Sequence, residues 1–123
     1  MDRSEFERVA QEAFDALPQK FRETIENVHI VVEDIPDPSA MQRRGARPGT
    51  LLLGLYEGIP LSRRGTSYGM YPSVPDKITL YQKNIERVAA TDQEVRACIR
   101  DVLIHEIGHY FGMSEAEIRR AGY

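Results

Sequence analysis

His105 and His109 stand four residues apart in a chain that holds only three histidines, and Glu106 lies between them. The residues around them, Val102, Leu103, Ile104, Ile107, Tyr110 and Phe111, are apolar. Side chains four apart leave an α-helix from one side, so a helix here carries both imidazoles on a polar stripe and apolar flanks elsewhere. Such a helix is largely buried, and the rest of the chain has to supply its cover. Buried polar rings need partners, and a single metal ion satisfies both at once. Imidazole nitrogen suits zinc, and two such ligands on one rigid helix make half of a tetrahedral set. Glu106 is placed to hold and deprotonate a metal-bound water. The plainer reading is two exposed histidines and an ordinary surface glutamate. It leaves unexplained why all three positions coincide in a chain so poor in histidine.

A catalytic zinc takes a third protein ligand and keeps a fourth position open. Gly112 follows the second histidine by three residues and is expected to end the helix in the left-handed conformation that glycine accepts. A sharp turn there lets Glu115 fold back as an oxygen ligand. Its rival reading is a surface carboxylate in the first turn of a last helix, favoured by the helix dipole. Glu117 reads as the capping partner of Ser114. Asp101, one turn before His105, is placed to hydrogen-bond a ligand ring through its carboxylate.

Ahead of this segment, Ser4-Glu5-Phe6-Glu7 reads as a capping box. Phe6, Val9, Ala10, Ala13, Phe14 and Leu17 repeat behind it at helical spacing until Pro18. A turn or two of helix is expected around Phe21 and Ile25. Val28–Glu33 is rich in β-branched residues and reads as a strand that ends before Pro36; His29 on it reads as a surface side chain. Leu51–Glu57 is apolar on both faces near its start, which predicts a central strand. Lys77–Tyr81 alternates, with Ile78 and Leu80 inward. Two irregular stretches, after Asp34 and after Gly58, separate these strands, and Thr66–Met70 inside the second is a candidate edge strand. Thr91-Asp92-Gln93-Glu94 opens the histidine helix, with Val95, Ile99, Val102 and Leu103 facing the core. Ser114-Glu115-Ala116-Glu117 opens a final short one.

The 123 residues suffice for one domain, 1–123, with a real core. A net charge of −3 argues against general nucleic-acid binding, and no apolar run is long enough for a membrane span. The charged start Met1-Asp2-Arg3-Ser4-Glu5 is not a secretory leader. A single cysteine, Cys98, excludes an internal disulfide framework, reads as a packing residue and points to the cytoplasm. Five arginines between Arg43 and Arg64 make the irregular stretches locally basic. Loops of that length read either as a solvated face or as a substrate or partner surface. Tyr56, Tyr68, Tyr71 and Tyr81 fall in or beside them, and one of these phenols is a candidate to stabilise an oxyanion.

The run from His105 to Glu115 resembles the zincin pattern H-E-x-x-H-x-x-G-x-x-(H/D/E). The chain as a whole resembles the small bacterial zincin-like metallopeptidases. The likeness extends to Leu53-Gly54-Leu55-Tyr56-Glu57-Gly58-Ile59-Pro60-Leu61, to Arg63-Arg64-Gly65 and to Pro75-Asp76-Lys77-Ile78-Thr79-Leu80-Tyr81. It implies a minimal α+β zincin domain, with a small mixed sheet of three or four strands packed on helices that include the motif helix. It also implies Zn2+ held by His105, His109 and Glu115, with Glu106 as general base, and a peptide or protein substrate added to an edge strand. Two features depart from the larger relatives: the last ligand position holds glutamate, and no methionine turn follows before Tyr123. Two functions remain open on the sequence. One is a zinc metallopeptidase; the other is a non-catalytic, zinc-stabilised interaction module that retains the motif.

Overall fold

The computed structural model describes residues 1–23, 25, 27–58 and 76–123. Among these, six helices flank a three-stranded sheet: α1 (Arg3–Asp15), α2 (Gln19–Arg22), β1 (Val28–Glu33), α3 (Pro38–Arg44), β2 (Gly54–Glu57), β3 (Asp76–Tyr81), α4 (Gln82–Val88), α5 (Asp92–Tyr110) and α6 (Glu115–Arg120). The order is β1-β3-β2. β1 runs parallel to β3, setting Ile30 beside Ile78 and Val32 beside Leu80. β2 runs antiparallel to β3, setting Tyr56 beside Ile78 and Leu55 beside Thr79. The mixed sheet and the α+β class are as the sequence suggests.

Side chains alternate across a strand, and both faces of β3 are put to use. Ile78 and Leu80 point into the main core with Tyr56 and Val32, against Phe6, Val9 and Ala10 of α1 and Ile99, Leu103 and Ile107 of α5. Tyr81 points the other way, into a smaller cluster with Leu52, Leu55 and Ala40 of α3. This second cluster explains the one strand that departs from expectation. The run Leu51–Glu57 is strand only from Gly54, and β2 lies at an edge of the described sheet, with β3 at its centre. Its apolar character on both faces is met by α3 on one side and α5 on the other.

Three further details differ from the sequence reading. α1 is capped by Asp2, whose carboxylate accepts from the Glu5 N–H at 2.8 Å, rather than by Ser4. A charged acceptor at a helix N-terminus is favoured by the dipole as well as by the bond. α3 occupies part of the stretch expected to be irregular, with Asp37 accepting from the Ala40 N–H, Pro38 in its first turn and Gly45 at φ 71° closing it. α4 was likewise unanticipated, and Thr66–Met70 lies outside the described residues. The strand Val28–Glu33 and the exposure of His29 are as expected.

Gly54 fixes how closely β2 meets the motif helix. A Cβ there would stand 2.5 Å from Val102 Cγ1 and 3.2 Å from the Thr79 carbonyl. Gly54→Val is therefore expected to push the strand off α5 and cost about 1–3 kcal/mol of stability, measured by urea unfolding. A cost below a few tenths would mean that this contact is not tight.

Candidate active site

α5 begins at Thr91, whose side chain accepts from the Glu94 N–H at 3.1 Å. Val95, Ile99, Leu103, Ile104 and Ile107 are buried along its inner side. Tyr110 and Phe111, read from the sequence as buried flanks, are 40% and 45% exposed because the helix is leaving the core there. With the inner side anchored, His105 and His109 face outward, and Glu106 is buried between the helix and β2.

Both rings are oriented through Nδ1. That of His105 lies 2.7 Å from the Asp101 carbonyl, and that of His109 lies 3.0 Å from the Met113 carbonyl. A carbonyl only accepts, so Nδ1 donates in each ring, and Nε2, which now meets the Glu115 carboxylate, is the nitrogen that would turn to a metal. The partner of His105 is thus the Asp101 backbone and not its carboxylate, which corrects the expectation from spacing. Both Nε2 atoms turn toward Glu115: His109 Nε2 stands 2.9 Å from Oε1, and His105 Nε2 stands 3.4 Å from Oε2. The bond from His109 holds the Glu115 carboxyl below its usual range.

Glu115 reaches the rings because the chain reverses at Gly112, which sits at φ 84°. The Met113 N–H then bonds back to the Gly108 carbonyl at 2.8 Å, closing the helix as glycine turns do. Ser114 and Glu117 form the expected capping box of α6. Gly108 is the seat for that helix: a Cβ on it would meet Ile118 Cδ1 at 2.8 Å, and Ile118 is fully buried.

Two imidazoles and a carboxylate form a donor set that zinc takes in hydrolytic sites. The three are closed on one another: among the described residues no group of three or more His, Cys, Asp or Glu stands at metal-holding spacing. Glu115 is half exposed, on the first turn of a six-residue helix. The chemistry of these donors fits a zinc ion, which would take the place of the bonds that join Glu115 to the two rings.

Glu106 is held differently. Its side chain is 9% exposed, with Oε1 accepting the Tyr56 N–H at 3.2 Å and Oε2 accepting Arg44 Nη2 at 3.0 Å. Burial pushes its carboxyl above the usual range, while Arg44, the Tyr56 N–H and the two histidines pull it back. Reading the sequence missed Arg44 and the Tyr56 backbone. The arginine-rich run was visible, but nothing in it singled out position 44. Of the candidate phenols, Tyr56 donates to Asp76 Oδ2 at 2.9 Å and stacks on Tyr110, while Tyr81 is buried and its phenol pushed up to about 12. Neither lines the cavity, and Tyr68 and Tyr71 lie outside the described residues.

That cavity, of about 800 Å³, follows α5 from Glu94 past Cys98 and Val102 to the histidines, and the segment from Arg44 to Gly54 forms its opposite wall. Cys98 packs against the core as expected, with its thiol pushed up chiefly by burial.

The family model for zincin-like metallopeptidases matches residues 25–123. The chain belongs to this family. Its fold resembles that of a conserved hypothetical protein from Thermus thermophilus, with a TM-score of 0.57 over 89% of this chain and 94% of that one at 21% identity. No curated protein matches the sequence. No helix of this zincin-like chain, among the described residues, is long and apolar enough to cross a membrane.

Proposed function

We propose that the chain is a zinc-dependent peptidase, with His105, His109 and Glu115 holding the ion and Glu106 serving as general base. The observation that carries this is the convergence of both Nε2 atoms on one carboxylate, beside a buried glutamate that opens on the same cavity. Zinc, when bound, supplies Lewis acidity that polarises a carbonyl and acidifies water. The chain's own part is acid–base work and positioning. Glu106 takes the proton of the attacking water on Oε2 and returns it to the leaving amine. The Tyr56 N–H holds Oε1 and Arg44 holds Oε2, each by one bond, so a lone pair of Oε2 is left for the proton. β2 is the strand suited to hold an extended peptide, because it edges the described sheet and passes beside Glu106.

One observation favours the rival reading of a zinc-stabilised interaction module: Arg44 ties up the oxygen that a base must free. Metal removal tests the peptidase. Treating the purified protein with a chelator is expected to lower its Tm and stop cleavage of a peptide library, and added Zn2+ is expected to restore both. Cleavage that persists in protein shown by metal analysis to be empty would refute the reading.

A further inference from the structure

Arg44 is the one cation among the described residues that line the cavity, where Glu94, Asp101, Glu106 and Glu115 supply the negative charge. It ends α3, sixty-two positions from Glu106 in sequence, and its side chain is 37% exposed. Glu106 is its one hydrogen-bonding partner among the described residues, engaged through Nη2. A guanidinium presents five donors in a planar fork, so most of its donors remain to be used.

Its position relative to the reaction follows from the peptidase reading, on which this inference rests. Glu106 must deliver a proton to the departing nitrogen, so that nitrogen passes within hydrogen-bond reach of Oε2. Arg44 touches the same oxygen. A group on that oxygen is within reach of whatever flanks the departing nitrogen, as it is of the attacking water. The nitrogen and carboxylate oxygens of one amino-acid residue are about 3 Å apart from bond lengths alone. A single residue can thus place its nitrogen at Glu106 and its carboxylate on the free edge of the guanidinium. Arg44 would then bridge two carboxylates that would otherwise repel each other. Leu51, Leu53, Ala97 and Val102 line the same cavity and suit an apolar side chain.

We propose that Arg44 reads a carboxylate on the leaving side, so that the enzyme releases apolar residues from the C-terminal end of peptides. Water adds to the last peptide carbonyl, the C–N bond breaks, and the amine leaves with the proton from Glu106. The products are a shortened peptide acid and a free amino acid whose own carboxylate is unchanged.

The test compares N-acetylated peptides ending in leucine as the free acid and as the carboxamide, with zinc-loaded protein and kcat/KM as readout. The parent is expected to favour the free acid by about tenfold or more. Arg44→Ala is expected to bring that ratio near one, and Arg44→Lys, which keeps charge but loses the fork, to leave it in between. Tm and zinc content measured on both variants separate this from a merely structural role. A ratio near one in the parent, or one retained in folded Arg44→Ala, overturns the assignment. Equal cleavage of both peptides that Glu106→Gln abolishes would sink the role of Arg44 and leave the peptidase standing. Cleavage of neither by the parent would sink both.

Discussion

Glu106→Gln is expected to lower kcat for peptide hydrolysis by about 10²–10⁴-fold, the range that a positioned general base supplies, while the protein keeps its zinc. The amide oxygen still accepts the Tyr56 N–H, but the NH2 that replaces the other oxygen cannot accept from Arg44, so that ion pair is lost along with proton transfer. Kinetics and metal analysis on the same preparation check both halves. Undiminished hydrolysis would remove Glu106 from the mechanism, whereas cellular function surviving the loss of hydrolysis would favour the interaction module. The substitution also carries a pH signature in the metal-free protein. Burial raises the Glu106 carboxyl above its ordinary value, so the folded state holds that proton more tightly than the unfolded chain does. The parent therefore loses stability as pH rises from the ordinary carboxylate range through the raised value. Glu106→Gln lacks this loss, and denaturant titrations across that window should show the parent alone declining.

His109→Ala is expected to abolish stoichiometric zinc binding, because it removes the ring whose Nε2 makes the shorter contact to Glu115 and whose Nδ1 ties the Met113 carbonyl to α5. Glu115→Ala is expected to bind zinc more weakly, leaving two ligands on a rigid helix. The drop is expected at about 10-fold or more, the scale on which even supporting partners of a metal ligand matter. Competition with a chromogenic chelator measures both. Full zinc affinity in Glu115→Ala would place the third ligand elsewhere and leave the helix pair intact.

Much of this site could be read from the chain, because its parts are close in sequence. Two histidines, a glutamate, a glycine stop and a capping box lie within thirteen residues, 105–117, and helix geometry alone sets their directions. What escaped is what arrives from far away. Arg44 reaches Glu106 across the fold, and no local pattern marks one arginine in a basic run. The same holds for the elements. α4 buries Gln82 and Asn84 beside Ile85, and the Asn84 amide bonds the Leu52 carbonyl at 2.8 Å. A helix whose inner side is partly polar shows no apolar period. α3 had its signals in Asp37, Pro38 and Gly45, but with Ala40 as its one buried residue it gave the period little to mark. β2 lies at an edge of the described sheet, and a strand pressed between two helices has the same composition as one flanked by strands.

The notch at Gly108 has a consequence for how tightly a cation would be gripped. Ile118 drops into it from behind, so a grease contact on the far side of the hinge helps to set the carboxylate arm, together with the capping box and the two rings. On the proposed reading, affinity for an ion would then be adjustable from the interior as well as at the ligands.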